Sequence, residues 1–306
     1  MHCQMGRYTM TKYAAISLNF DSLGEAYGFP NNYHDISFTT VADRFMALAN
    51  KMDFKYSIYV IGKDLERPEN QAAVKQWADA GHEIGNHSWS HHTNLGGMSY
   101  ADIQQEIERS HQLITNTIGY EPNGFMAPNW STSRAALNVL NDLNYIHDTS
   151  TFPSWLMFPI LAKIGLNHLS SREKFARLFQ RKDYKDFLFA PRTPYMHKNI
   201  CVMPMPTNQF RIGCWHTTAF MFGWQAHQKL LQDCLNELDI FYYLVHPADL
   251  IDRNDLDPNR SIHLERLNQP LARKQQYLEQ ALTIIKNSGR TLITMNELAE
   301  HARKRF

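Results

Sequence analysis

The stretch YAAISLNF, at Tyr13–Phe20, is an apolar run of eight residues that ends directly before Asp21. A short apolar run that leads into a turn-rich segment predicts a buried β-strand. Further runs of this kind, such as FYYLV at Phe241–Val245, alternate along the chain with amphipathic helical patterns. This alternation is typical of βα units around a mostly parallel sheet, and it predicts an α/β fold.

The same patterns predict the remaining elements and the domain organisation. Strands are predicted at Tyr56–Ile61, Glu83–Gly85, Gly124–Met126, Tyr145–His147 and Thr291–Thr294. Helices are predicted at Val41–Asn50, Asn70–Ala80, Tyr100–Ile118, Ser131–Leu143, Leu271–Lys286 and Asn296–Lys304. The length of 306 residues suits one large α/β barrel or two ordinary domains, and we expect a single domain over residues 1–306.

Composition and charge exclude several classes of protein. The formal net charge of +1 argues against a nucleic-acid-binding protein, which would normally carry a basic excess. Four scattered cysteines without a C-x-x-C pair argue against a disulfide scaffold and fit a reducing compartment. Residues 1–15 lack the apolar core of a secretory signal, and no run is long enough to span a membrane. We therefore expect a cytoplasmic enzyme.

One segment, residues 152–200, interrupts the βα alternation and is predicted to be an inserted helical, basic segment. From Ser154 to Ile200 it carries nine Lys or Arg residues against three Asp or Glu. Large apolar residues lie among these cations, and Phe175, Leu178 and Phe179 have helical spacing. Such a segment can lie in an anionic membrane interface, which would give peripheral contact through residues 154–190 with the inner face of the cytoplasmic membrane. Alternatively, it is a long loop whose aromatic residues pack on the barrel.

The strongest chemical signal is GHEIGNHSWSHH, at residues 81–92. His87 and His91 are four residues apart and could offer two imidazoles to one cation if the chain turns helically there. The spacing alone often arises by chance, but this pair directly follows a predicted strand, where barrel loops assemble sites. We expect His82 and His92 to be solvent-facing or hydrogen-bonded rather than additional ligands.

Asp21 is the candidate oxygen ligand for the same cation. It follows the first predicted strand, so it would lie at the same end of the barrel as the two histidines. A two-histidine site needs such an oxygen ligand and an open position before it can activate water. The alternative is that Asp21 caps a turn.

These residues belong to an ordered set that resembles the polysaccharide deacetylase family, also called the NodB-homology family or carbohydrate esterase family 4. The set comprises Phe20-Asp21, the residues 81–91, Phe125 with Ala127-Pro128, Asp148-Thr149-Ser150 and Leu244-Val245-His246-Pro247. The resemblance implies a distorted, incomplete (β/α)7-type barrel and the metal-dependent hydrolysis of an N-acyl group, acetyl or formyl, from an amino sugar. It implies that His87 and His91 bind the metal, that Asp21 belongs to the first motif, and that His246 belongs to the leucine-x-histidine motif.

The implied chemistry suits these residue types. A divalent ion held by one oxygen and two nitrogen ligands would polarise the amide carbonyl and lower the pKa of water. Such a ligand set suits Zn²⁺, but Co²⁺, Ni²⁺ or Fe²⁺ could also occupy it. His246 would protonate the departing amine, because an amide anion is a poor leaving group; otherwise it is a structural histidine before a proline turn.

The sequence departs from the family pattern at two places. The first motif usually carries two aspartates, a base and a metal ligand, but Asn19 and Ser22 flank the single Asp21. In one alternative, Asp21 is the metal ligand and another group is the base, for which Glu25 is the first candidate. In the other, Asp21 is the base and the metal has one protein ligand fewer. In the third motif, Met126 stands where an arginine is usual.

The sequence Arg192-Thr193-Pro194-Tyr195 is a candidate to restore the missing cation. We expect Arg192, Tyr195 and Trp130 to contact the substrate.

The substrate class rests on weaker features. The segment from Pro204-Met205-Pro206-Thr207 to Trp215-His216-Thr217 is similar to the branch of the family that acts on polyprenyl-phosphate-linked amino sugars. We therefore expect an N-acylated amino sugar, lipid-linked or otherwise an envelope glycan precursor. Two alternatives remain: a catalytically lapsed barrel that binds glycan or membrane, and an amidase acting on a small non-sugar amide.

Overall fold

A curled, open β-sheet organises the protein. The computed structural model describes residues 12–27, 29, 35–167, 180–256 and 265–306. The strands within these residues are β1 (Tyr13–Phe20), β2 (Tyr56–Val60), β3 (Glu83–Asn86), β4 (Gly124–Phe125), β5 (His147–Asp148), β6 (Tyr195–His197), β7 (Ile200–Val202), β8 (Ile240–Val245) and β9 (Thr291–Leu292). Their order across the sheet is β6-β7-β5-β4-β3-β2-β1-β8, and β9 pairs with the start of β1.

Seven consecutive strands of this order, β7 to β8, are parallel, and β6 is antiparallel at one edge. The outer strands β6 and β8 are not paired with each other in the residues that the structure describes. The sheet is therefore a half-barrel, which confirms the predicted distorted, incomplete barrel.

The helices connect the strands, and most of them cover the outer face of the sheet. They are α1 (Thr40–Met52), α2 (Pro68–Asp79), α3 (Tyr100–Ile118), α4 (Arg134–Asp142), α5 (Met157–Asn167), α6 (Asp186–Phe189), α7 (Thr218–Phe222), α8 (Trp224–Glu237), α9 (Leu271–Asn287) and α10 (Met295–Arg303). Local signals explain several boundaries: Ser99 and Ser133 cap the first turns of α3 and α4, and Gly119 ends α3 in a left-handed conformation.

The two faces of β1 pack in two different hydrophobic cores. Ile16, Leu18 and Phe20 pack outward in a core shared with the helices. Ala15 faces the interior of the curl, where it packs with residues of the other strands and of α10. Because both faces are covered, the strand is apolar along nearly its whole length, as parallel strands usually are.

The long predicted elements are confirmed, and the main difference lies in the segment expected to be inserted. Residues 152–200 include α5 and α6, but the sheet resumes at β6, so their last part belongs to the barrel. The predicted helical face of Phe175, Leu178 and Phe179 lies outside the described residues. No helix in the described part of the chain is long and apolar enough to cross a membrane.

Candidate metal centre and active site

Three side chains from two loops converge at the carboxyl end of the sheet. The Oδ1 atom of Asp21, after β1, lies 3.2 Å from Nε2 of His87 and 3.4 Å from Nε2 of His91, both after β3. These are the only three metal-ligating side chains in the described residues whose ligand atoms all lie within 4.8 Å of one another. The predicted convergence of the carboxylate and the two imidazoles is present in the structure.

The loop that carries the histidines is not helical, contrary to the conformation that their spacing suggested. Ser88 and His91 instead have positive φ angles of 64° and 53°. Helix α3 holds this strained loop, because the carboxylate of Glu106 accepts hydrogen bonds from both the backbone N–H and the hydroxyl of Ser90. The guanidinium of Arg109 also lies over the ring of Trp89, 3.6 Å from its centre.

The orientation of His87 is fixed by a hydrogen bond on its other nitrogen. Its Nδ1 lies 2.7 Å from the backbone carbonyl oxygen of Met126, which follows β4. A carbonyl oxygen only accepts, so Nδ1 carries the hydrogen and the neutral ring has a bare lone pair on Nε2. A backbone carbonyl on the outer nitrogen is a common way to orient a metal-binding imidazole. Met126, which departs from the family pattern, therefore contributes through its backbone.

The donor set suits a divalent cation. Oδ1 of Asp21 is buried and receives no hydrogen bond from a described residue. Burial alone would raise the pKa of Asp21, but the neighbouring His91 and His87 hold it well below the usual value of 3.8, so the carboxyl is ionised. Burial lowers the pKa of His87, which favours the neutral ligand form. One anionic oxygen and two imidazole nitrogens leave coordination positions for water and substrate.

His246 lies at the same end of the sheet, directly after β8. It is buried, and burial lowers the pKa of its imidazole while the nearby Asp21 raises it. Its backbone N–H donates to Asp249 at 2.8 Å, and Asp249 forms a buried ion pair with Arg266 at 2.7 Å. The turn that carries His246 is thus fixed, and the imidazole lies in the electrostatic field of the candidate metal ligands.

Two carboxyl groups, of Glu25 and Asp64, lie in the surroundings of the first motif, which lacks its second aspartate. Glu25, the candidate base, forms an ion pair with Lys63 at 3.1 Å. The hydroxyl of Ser22, at the position of the missing aspartate, is a hydrogen-bonding partner of Asp64, whose pKa is raised well above its usual value mainly by burial. A carboxyl group therefore lies beside Ser22, but it comes from the turn after β2.

Each of the predicted substrate-binding residues packs against or bonds to another residue of the protein. Trp130 is buried against Phe152, with ring centres 4.8 Å apart. Tyr195, on β6, has its hydroxyl 3.3 Å from that of Thr151. Arg192 is bound by Glu237 at 2.5 Å, so its charge is used in that pair.

The cation that reaches the third-motif loop is Arg181, which donates to the carbonyl of Asn129 at 3.2 Å. Arg181 is buried and paired with Asp183.

Sequence reasoning missed the carbonyl of Met126, the pair of Asp249 with Arg266, and the contact of Arg181 with Asn129. The backbone carbonyl of Met126 could not be predicted, because any residue type carries one. Arg266 and Arg181 could not be assigned, because they are distant in sequence from their partners or lie among many other cations. Only Asp249 had a local signal, because it stands three residues after His246, where an acid can cap a turn.

Comparison with known proteins agrees with this geometry. A sequence model described as polysaccharide deacetylase matches residues 11–146, which include the three candidate ligands. The chain is 29% identical over 127 residues to a peptidoglycan deacetylase from Helicobacter pylori, which covers 40% of this chain and 41% of that protein. It is 38% identical over 63 residues, 20% of this chain and 19% of the relative, to a probable 4-deoxy-4-formamido-L-arabinose-phosphoundecaprenol deformylase from Shewanella sediminis.

Solved structures show the same fold at low sequence identity. A putative polysaccharide deacetylase from Mycobacterium smegmatis aligns with a TM-score of 0.62 and 14% identity over 97% of this chain and 93% of that one. A pseudoenzyme of carbohydrate esterase family 4 from Bacillus anthracis aligns with a TM-score of 0.52 and 13% identity over 95% of this chain and 66% of that one.

Residues 11–146 are therefore similar in sequence to the polysaccharide deacetylase family, and the described chain has the same fold as solved structures of that kind. The chain spans about two fifths of the length of the first curated relatives that it matches.

Proposed function

We propose that the protein is a metal-dependent hydrolase that removes an N-acyl group, acetyl or formyl, from an amino sugar. The observation that carries the proposal is the convergence of the ligand atoms of Asp21, His87 and His91, with His87 held in the ligand tautomer by Met126. The carboxylate of Asp21 and the bare Nε2 of His87 are both acceptors, and a cation between them would remove their repulsion.

Asp21, His87 and His91 would hold the cation, and zinc is our first candidate. When bound, such an ion polarises the amide carbonyl and lowers the pKa of a water molecule. His246 protonates the nitrogen of the departing amine, because the nearby carboxylate of Asp21 favours its protonated form and opposes the effect of burial, which lowers its pKa. The side-chain partners of Oδ1 of Asp21 are the two candidate metal ligands His87 and His91, so we keep Glu25 as the candidate that takes the proton from water.

The names of two relatives support the substrate class. One is a peptidoglycan deacetylase, and the other is a probable deformylase of an undecaprenol-phosphate-linked sugar. Both names describe removal of an acyl group from a sugar nitrogen. We propose a lipid-linked amino sugar as the substrate of this chain.

The surface near the candidate site supports contact with a membrane. Phe189, Phe210 and Trp155 are 77%, 66% and 43% exposed. All three lie in connections that leave the carboxyl ends of β5 and β7, and the indole N–H of Trp155 donates to the carbonyl of Phe210 at 3.0 Å. Lys185 is exposed beside them. Exposed aromatic residues with neighbouring cations are typical of surfaces that enter an anionic interface.

The activity is tested by loading the purified protein with zinc, cobalt or nickel and measuring released acetate and formate. Substrates should include free and polyprenyl-phosphate-linked N-acyl hexosamines and a small non-sugar amide. We expect release from the lipid-linked sugar to be fastest. Release from the simple amide alone would favour the amidase alternative, and equal rates on free and lipid-linked sugars would contradict the lipid-linked substrate.

Membrane contact is tested by co-sedimentation with vesicles that contain anionic phospholipid. The variants Phe189→Ser and Phe210→Ser should bind less, whereas Phe306→Ser is the matched control. Phe306 is 69% exposed but lies after α10, away from these connections. Binding that is unchanged in the first two variants would contradict the proposed membrane surface.

A second candidate is a lapsed deacetylase that binds glycan without turnover. Ser22 and Met126 favour it, because both replace residues that the family pattern uses for catalysis. One structural neighbour is described as a pseudoenzyme. Binding of N-acyl sugars by the metal-loaded protein without release of either acid would establish this alternative.

A further inference from the structure

A chain of buried hydrogen bonds leads from helix α7 to the neighbourhood of His246. Its members are Thr218, His227, Tyr243 and His216. All four are fully buried, and the metal-dependent reaction proposed above uses none of them.

The direction of every hydrogen in this chain can be assigned from the first contact. The hydroxyl of Thr218 lies 2.7 Å from the carbonyl of Trp215, which can only accept, so the single hydroxyl hydrogen is used there. Thr218 Oγ1 therefore accepts from Nδ1 of His227 at 2.8 Å. Burial lowers the pKa of His227 to about 3, so the ring is neutral and its Nε2 is an acceptor.

The assignment then passes through Tyr243 to His216. The hydroxyl of Tyr243 lies 2.7 Å from Nε2 of His227, to which it donates its only hydrogen. Its oxygen accepts from Nδ1 of His216 at 3.0 Å. Burial also lowers the pKa of His216, to about 4, so this ring is neutral as well. The chain of bonds thus fixes His216 with hydrogen on Nδ1 and a lone pair on Nε2.

That lone pair is buried and receives no hydrogen bond from any residue in the described ranges. The backbone N–H of His216 donates to the carbonyl of Leu244 at 3.0 Å, two residues before His246. His216 lies in the electrostatic field of Asp249, Arg266, His246 and Lys274. Nδ1 of His246 is likewise buried without a partner among the described residues. Nε2 of His216, which can only accept a hydrogen bond, therefore lies near Nδ1 of His246, which can donate one.

We propose that His216 is a positioning residue for His246: one buried water molecule accepts a hydrogen bond from Nδ1–H of His246 and donates one to Nε2 of His216. A single water can satisfy two buried polar atoms in this way. His246 would then keep its Nε2 toward the candidate metal centre. A neutral partner also orients the ring without adding the negative charge that a carboxylate would bring. The catalytic part of this inference rests on the proposed function.

The test reads the tautomers directly and needs no substrate. Two-bond ¹H–¹⁵N correlation spectra of zinc-loaded protein with ¹⁵N-labelled histidines distinguish hydrogen on Nδ1 from hydrogen on Nε2. We expect Nδ1–H for His216, His227 and His246 in the wild type. In Tyr243→Phe and in His216→Leu, His246 should shift toward a mixture of tautomers. An Nε2–H form of His216 in the wild type, or a His246 tautomer that is the same in all three proteins, would overturn the proposal.

Kinetics separate this inference from the proposed function. If the wild type is active, His216→Leu should lower kcat about 10- to 100-fold with unchanged metal content and KM, and His216→Gln, which retains an acceptor, should recover part of the loss. The control His82→Leu removes another buried imidazole, whose Nδ1 accepts from the backbone of Tyr56 at the opposite end of the sheet, and should leave kcat unchanged. An inactive wild type with the expected tautomers would reject the proposed reaction but retain the positioning.

Discussion

Replacing Glu83 with glutamine should make the protein resist the loss of stability that the wild type shows as the pH rises. Glu83 begins β3 at the end of the sheet opposite the candidate metal centre. Its Oε2 accepts from the hydroxyl of Ser57 at 3.0 Å and from the backbone N–H of Asn296 at 2.8 Å. Burial, the largest effect, raises the pKa of this carboxyl from 4.5 to about 7. The folded protein therefore prefers the protonated form.

The size of the effect follows from linkage between protonation and folding. A group whose pKa is higher in the folded state contributes its full stability below the unfolded pKa, and this contribution is lost as the pH rises through the folded pKa. For Glu83 the window is from about 4.5 to about 7. At about 1.4 kcal/mol per pKa unit, this loss is about 3 kcal/mol. Glutamine keeps an acceptor for the two donors but does not ionise.

The assay is urea unfolding at pH 5 and pH 8, followed by circular dichroism. The free energy of unfolding of Glu83→Gln relative to wild type should rise by about 3 kcal/mol between the two pH values. Other titrating groups are common to both proteins and cancel. The control Glu300→Gln changes an exposed acid of α10 and should show no such rise. A difference that stays constant with pH would refute the reasoning that burial keeps Glu83 protonated.

Four further substitutions test the candidate site. His87→Ala and His91→Ala should each lose the bound metal and turnover, because the two remaining ligands hold a divalent ion too weakly. Metal analysis after dialysis measures this loss. Full metal occupancy in either variant would contradict the expected result. His246→Ala should retain the metal and slow turnover by about 10²–10⁴-fold, whereas an unchanged rate would remove His246 from the mechanism. Glu25→Gln should keep the metal and slow turnover similarly if Glu25 is the base; a silent substitution would leave Asp21 or another group to take the proton.

The sequence predicted the fold because its strands are long enough, or flanked clearly enough, to be recognised. β1 and β8 are continuous apolar runs between turn signals, and α3 repeats isoleucines at helical spacing. β4 and β5 have only two residues each, but clear helical patterns follow or precede them, and these patterns revealed the strands. β6 and β7 were missed because no such helical pattern flanks their three residues, so the residues before Ile200 could not be distinguished from an insertion.

Within the candidate site, the convergence of Asp21, His87 and His91 was predictable because parallel strands bring their carboxyl ends to one edge. The loop conformation was not, since the left-handed turns at Ser88 and His91 depend on contacts with α3. The expected role of Arg192 depended on which carboxylate it would meet, and its partner Glu237 is 45 residues away. Pairings over such distances in sequence are decided by the fold.

The measurement that tests the central claim most directly is a crystal structure of the zinc-loaded protein with anomalous scattering recorded at the zinc edge. We expect one strong peak bonded to Oδ1 of Asp21 and Nε2 of His87 and His91, each at about 2.0–2.2 Å. A peak at any other place, or imidazoles that turn away from the carboxylate in the loaded protein, would contradict it.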